Sequence, residues 1–241
     1  VLAFFSFSLV MWLSVIPKAL MVLVSLRFVE PQSHKAESGN IYRHLRDAIT
    51  NIINNRRLRM LSIGQIVSYS VGEAAFQFRT VFIELLWPLW AIGAARMISN
   101  IMAAVSFYFA GPLLKRFGEA RLLFGGIGLS QLTNLSALLL NSVLSPVLMG
   151  STSIFFGVNT VSLNGMMQRE FTDAQRSTMG SLTALGGSLG FAVCSLVLGW
   201  LADQIGVRDA LIIAAVASSS SLIFFRLAFR HSGNYAGDAE G

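Results

Sequence analysis

The chain has 241 residues, of which 54% are hydrophobic and only 12% charged, with a formal net charge of +6. A soluble globular protein carries about 25% charged residues, and the basic residues here stand at the ends of apolar runs rather than on one polar segment, which argues for membrane orientation and against nucleic acid as a partner. One cysteine (Cys194) and three scattered histidines (His34, His44, His231) leave no disulfide framework, no metal site and no cofactor to expect.

The charges are spaced like those of an integral membrane protein. Residues 122–168 and 177–202 carry none, and residues 1–26 carry only Lys18. About 20 apolar residues cross the hydrocarbon core. The first span is expected over about residues 3–28, closing at Arg27 and Glu30-Pro31. Val1 stands in the middle of that apolar run, so an upstream continuation is expected.

A polar linker follows over 29–57. Ser38-Gly39-Asn40 predicts a helix start, and Ile41, Leu45, Ala48, Ile49, Ile52 and Ile53 then recur at helical spacing opposite Arg43, Arg46, Asp47 and Thr50. Such a helix either lies along the membrane surface or packs as a linker touching no lipid. The second span is placed at 59–81 and the third at 89–111, with Trp87-Pro88-Leu89-Trp90 as an interfacial turn between them. The uncharged block 122–168 is too long for one span. Asn141-Ser142 and Ser145-Pro146 mark the break, giving spans near 121–140 and 146–167. Two more are expected at 178–201 and 208–229, before a polar tail from His231.

Seven helices result, and the basic residues orient them. All but four of the 18 Lys and Arg residues fall at one set of ends; the exceptions are Arg79, Arg208, Lys18 and Arg96. That side is the cytoplasm by the positive-inside rule. The C-terminus is then cytoplasmic, and a plasma (inner) membrane is the expected location.

Two stretches are built alike: Gly111-Pro-Leu-Leu-Lys-Arg-Phe-Gly118 after the third span, and Gly199-Trp-Leu-Ala-Asp-Gln-Ile-Gly206 after the sixth. In each, two glycines seven positions apart bracket a short polar step, and a basic residue (Arg121 or Arg208) follows. Each predicts a tight reversal, in which glycine permits positive φ. One falls on the cytoplasmic side and the other outside. Spans two to four and five to seven therefore form two triplets of opposite orientation, as in secondary transporters.

In these motifs the sequence resembles the major facilitator superfamily. Its loop signature, roughly Gly-x-Leu-Ala-Asp-x-x-Gly-x-Arg, is matched by Gly199, Leu201, Ala202, Asp203, Gly206 and Arg208, and partly by Gly111, Leu113, Arg116, Gly118 and Arg121. Gln168 to Ser181 is similar to the family's cytoplasmic loop before its eleventh helix. Lys115 departs from the pattern, standing where an acidic residue is usual. The resemblance implies an all-α integral membrane fold whose residues 1–28 correspond to the sixth helix and residues 58–230 to a C-terminal six-helix bundle, with a cytoplasmic tail at 231–241. It also implies a missing N-terminal half, supplied upstream in the same chain or by a separate subunit.

Candidate site residues are the polar ones inside spans, where a charge costs about 2.5–3.5 kcal/mol on insertion scales. Gln65, Tyr69, Glu73 and Gln77 are spaced by four and share one face of the second span. The resemblance implies that this helix and the fifth span line the central cavity, so that Glu73 meets substrate or a proton. The alternative is a structural partner for Arg79 or Arg96. Arg96 and Asn100, four apart on the third span, suit an anionic group or an ion pair with Glu73 or Glu84. Arg79 is expected to snorkel outward. Asn159 and Ser162 either line the cavity or join helices. The function expected is secondary active transport of a small solute within membrane lipid by alternating access, proton-coupled through Glu73. The alternative is a non-transporting half-carrier or fragment. No nucleophile, base or metal cluster suggests an enzyme.

Overall fold

The computed structural model describes residues 7–27, 41–171 and 176–230, and all its regular elements are helices. The chain divides into two units, Val1–Gly39 and Asn40–Gly241. The predicted helix start at Ser38-Gly39-Asn40 and the tail from His231 lie outside the described residues.

The first unit contributes α1 (Phe7–Ser25), which carries Pro17 and presents an exposed apolar surface over nearly its whole described length. The second unit contains α2 (Ile41–Asn54), α3 (Arg56–Glu84), α4 (Leu89–Phe117), α5 (Glu119–Leu140), α6 (Ser145–Ser151), a 3₁₀ turn (Thr152–Phe155), α7 (Phe156–Arg169), α8 (Arg176–Ile205), α9 (Val207–Ser219) and α10 (Ser221–Arg230). Five helices among the described residues are long and apolar enough to cross a membrane: α4, α5, Ser145–Arg169 (α6 running through the 3₁₀ turn into α7), α8 from Thr178, and Val207–Phe229 (α9 with α10). At 29 residues α3 has the length to do so, but its polar stripe lowers its apolar character.

Helix ends follow local chemistry. Asn55 closes α2 and opens α3: its N–H donates to the Asn51 carbonyl (2.8 Å) and its Oδ1 accepts from Leu58 N–H (3.0 Å). The break after α5 falls where the sequence places it, with Asn141 in the left-handed region at φ 44°. Ser145 Oγ then accepts from Ser142 N–H (3.0 Å). The bend within Ser145–Arg169 sits where the Ser151 and Thr152 hydroxyls donate back to the Leu148 and Met149 carbonyls, at 2.7 Å each. Such back-bonding competes with the helical ladder.

The two signature stretches are shorter turns than the sequence suggests. Gly111 and Gly199 lie inside α4 and α8, and each reversal is made by one residue, Gly118 or Gly206. Their backbones match, at φ 79° and ψ 152° for Gly118 and φ 88° and ψ 153° for Gly206. That region is open only to glycine. Their hydrogen bonds match too. Gly118 N–H donates to Leu114 O and Gly206 N–H to Ala202 O (both 3.0 Å), while the glycine carbonyls accept from Leu122 (3.3 Å) and Ala210 (3.1 Å).

These turns sit at opposite ends of the bundle. Glu119, next to Gly118, pairs with Arg169 at the foot of α7. Arg208, next to Gly206, donates Nε–H to the Leu138 carbonyl (2.9 Å) near the far end of α5. A helix of 22 residues separates the two ends, about 33 Å at 1.5 Å per residue. Trp87 Nε1–H donates to the Val143 carbonyl (2.7 Å), tying the α3–α4 and α5–α6 connections together at the Arg208 end.

Helices α3, α4 and α5 each pack against later helices. α3 packs along α8, α9 and α10, α4 along α6 and α7, and α5 against α7 and α9. Apolar side chains fill both ends: Leu61, Leu123, Met166 and Phe225 at one, and Phe82, Leu138, Leu198 and Leu211 at the other. Between them the helices meet through small and polar groups. Ser70 Oγ donates to the Gly187 carbonyl (3.1 Å), and Ser106 Oγ accepts from Val158 N–H (3.0 Å). A Cβ on Gly157 would lie 2.5 Å from the Phe107 nitrogen, backbone against backbone.

Gly157→Ala is therefore expected to lose about 1–3 kcal/mol by overpacking, and Gly206→Ala a similar amount by backbone strain. Gly111→Ala, where a Cβ meets no atom within 4 Å, is expected to lose nothing. Unfolding of the three variants in detergent micelles, against the parent, checks all three.

Candidate functional site: the polar face of α3

The predicted stripe exists as one face of α3, centred on the middle of the helix. Tyr69 is 49% exposed, Gln77 is exposed, and Gln65 and Glu73 are half-buried. Gln77 Nε2–H donates to Glu73 Oε1 (2.8 Å), so the carboxylate is met by its own helix one turn on. The Gln65 Oε1 is buried without a hydrogen-bond partner among the described residues. Tyr69 leans its ring edge over Gly187 of α8, where any Cβ would collide with it. Lacking a side chain at Gly187, α8 leaves room for the tyrosine ring.

Arg96 does not pair with Glu73 or Glu84. Its Nη2–H donates to Thr80 Oγ1 (2.6 Å), and its guanidinium lies 4.3 Å from the centroid of the Phe76 ring. Arg79 approaches the same ring at 5.7 Å. Two cations thus share one aromatic ring, a contact worth roughly 0.5–2 kcal/mol per cation depending on solvation. Among the described residues neither arginine forms an ion pair. Asn100, one turn beyond Arg96, is exposed.

Arg79, expected to reach outward, lines a half-open cavity of about 30 Å³ with Gln131, Asn134 and Ser218. Gln131 Nε2–H donates to Ser218 Oγ (3.1 Å). Asn134 is 6% exposed and its Oδ1 has no partner. About 10–15 Å³ admits one water, which needs polar neighbours, and this cavity provides both room and partners.

Of the two residues expected on α7, Ser162 is fully buried and donates to the Val158 carbonyl (2.7 Å), joining the interior of its own helix. Asn159 turns its side chain onto Gly126 of α5. On that helix Thr160 and Asn164, also four apart, are more open to the surface, Asn164 being exposed. The sequence reading passes over both, although their spacing matches that of the α3 stripe.

The signature residues divide by role. Lys115, Arg116, Arg121 and Asp203 are exposed, with Arg116 lying over the Phe117 ring at 5.3 Å. Arg208 satisfies free carbonyls at the end of α5. The acid–base contacts come from residues the sequence does not single out. Glu119 pairs with Arg169, and Glu170 takes Arg57 Nη1 at 3.0 Å and Asn55 Nδ2 at 3.0 Å. Arg169 and Glu170 fall in the Gln168 to Ser181 stretch and follow directly on the uncharged block 122–168.

With single cysteines in a Cys194→Ala background, a water-soluble thiol reagent is expected to modify cysteine at position 77 quickly and at position 70 barely, since Ser70 is 3% exposed. Equal rates at the two positions would place the open face of α3 elsewhere.

In comparison with known proteins, the structure is similar to the crystal structure of the fucose:proton symporter of E. coli, with a TM-score of 0.70 at 13% sequence identity. The similarity covers 87% of this chain and 52% of that one, so the chain spans about half the length of the solved structure it matches. At that identity the likeness is one of fold. No sequence-family model matches, and no curated protein is similar in sequence.

Proposed function

We propose that the chain is one half of a secondary active transporter, carrying a small solute across a membrane by alternating access. In this reading α1, α3, α4, α5, α6–α7, α8 and α9–α10 make seven crossings, with α3–α5 and α6–α10 as two inverted repeats. The observation that carries it is the pair of glycine turns: one backbone geometry and one set of hydrogen bonds, at opposite ends of α5. Direct repetition would put both turns at the same end, whereas inversion separates them. The fold similarity to half of a proton symporter is the second support.

The polar face of α3 then borders a watery path between this half and its partner half, whether that half is encoded upstream or separately. Tyr69, Gln77, Arg96 and Asn100 are the substrate-facing candidates. Glu73 is the proton-carrying one, its charge steadied by Gln77 when ionised. Exposed Lys115, Arg116, Arg121, Arg169 and Arg226 share the Glu119 end, which the positive-inside rule assigns to the cytoplasm of a plasma membrane together with the C-terminus. Catalysis of a covalent reaction has no part in this reading.

Two measurements test it. In the Cys194→Ala background, a membrane-impermeant reagent should reach Lys115→Cys from the cytoplasmic side and Asp203→Cys from outside; labelling of both from one side would overturn the inverted repeat. The full-length carrier in vesicles should take up protons when a transported sugar or other small solute is added, and Glu73→Gln should abolish that signal. Solute movement without proton uptake, unaltered by Glu73→Gln, would remove proton coupling and leave transport standing.

A further inference from the structure

The structure assigns α2 a ligand of its own: we infer that it docks on the anionic lipid surface of the membrane. This helix has only 14 residues, too few to be stable alone in water, so its faces must be covered. One is. Ala48 is fully buried and Ile52 half-buried, packed with Leu58 of α3 and Met179 of α8. The neighbouring stripe is not: Leu45, Ile49 and Ile53 are 36%, 42% and 56% exposed. At 100° per residue the two stripes join into an apolar arc of about 140°. The bundle occupies one side of that arc and leaves the other bare.

Charge identifies what covers it. Arg46, exposed, borders the stripe, and Arg56, also exposed, lies three residues past Ile53 at the start of α3. The Arg59 guanidinium donates to the Ile53 carbonyl, holding its charge at the end of the bare stripe. Asp47 is the exposed acid on this helix, on the side away from the stripe. Lys115, Arg116, Arg121 and Arg226 are exposed at the same end of the bundle, whereas Glu119 and Glu170 are occupied by Arg169 and Arg57. An apolar strip edged with arginine is what an anionic leaflet binds. The strip enters the headgroup boundary and the guanidinia meet phosphate.

The contact bears on the transport helices because α2 is fixed to them. Asn55 ends α2, caps α3 and donates to Glu170 at the foot of α7. Lipid that holds α2 in the interface therefore holds the corner where α3 begins. This inference needs the membrane and the α2 geometry, not the identity or the coupling of a solute.

The test uses the full chain, in the Cys194→Ala background, reconstituted into phosphatidylcholine vesicles with or without phosphatidylglycerol. Nitroxides are placed at Ile49→Cys and Thr50→Cys. The label at 49 is expected to meet oxygen more readily than a water-soluble nickel chelate, the label at 50 the reverse, with the contrast growing when phosphatidylglycerol is present. Arg46→Gln with Arg56→Gln, both at exposed positions, should erase that growth. If both labels are equally open to the chelate in either vesicle, the stripe faces water or a soluble partner and the inference fails. If position 49 is buried in lipid regardless of phosphatidylglycerol and of the arginines, the helix is a neutral anchor, and the anionic-lipid assignment fails.

Discussion

Close approach of backbones at the middle of the bundle is the constraint on which the other features depend. In hydrocarbon an apolar side chain gains nothing by leaving lipid for another helix, so association rests on packing contact and on hydrogen bonds between helices. Here both occur at mid-helix. Gly157 lets α7 lie directly on the backbone of α4, and Ser106 accepts the N–H of Val158 beside it. Gly187 and Gly190 admit side chains of α3, the Tyr69 ring and Ser70, with Ser70 hydrogen-bonded to the Gly187 carbonyl. The apolar clusters at the two ends close over this waist and gain their density from it.

The ends are finished differently, and the difference has a function in the proposed mechanism. At the Arg208 end the fastenings are to backbone: a guanidinium on the carbonyls of α5 and an indole on the Val143 carbonyl. They do not depend on a carboxylate. At the opposite end they are ionic: Glu119 with Arg169, and Glu170 with Arg57 and Asn55. Ionic contacts near a surface are weak individually, about 0–1 kcal/mol, and break easily when elements slide. A bundle that must rearrange on one side at a time benefits from fastenings of this kind.

The sequence discloses those features that depend on period and charge spacing. Helix positions, the break at Asn141-Ser142, the amphipathic α2 and the turn residues Gly118 and Gly206 are all legible, because each follows from apolar run length or from a residue with special backbone freedom. The extent of the turns is not. Gly111 and Gly199 look like span ends because apolar character fades there, yet a helix does not stop where hydrocarbon stops; at 29 residues α4 is about 43 Å long and continues into the headgroups. Polar pairings are hidden for another reason. Helical spacing shows which residues share a face but not which helix that face meets, so Arg96 suggests Glu73 or Glu84 as partner and finds Phe76 and Thr80. Asn159 suggests the cavity and meets Gly126, because one residue of helix rotation, 100°, separates it from the more open Thr160.

The composition of α3 ties fold and function together. A helix bearing Gln65, Tyr69, Glu73 and Gln77 on one face cannot turn that face to lipid without the cost that makes intramembrane charge rare. Its other faces are taken: Leu61 and Phe82 by the end clusters, Ser70 by α8, and the Phe76 ring by two guanidinia. The stripe is nevertheless open, with Tyr69 half exposed and Glu73 answered only by Gln77. An open polar face at mid-helix must meet water or another polar face. The match spans 52% of the solved structure, and the proposed carrier sets a second half opposite α3. In that proposal the stripe that costs α3 its apolar character lines the gap between the two halves.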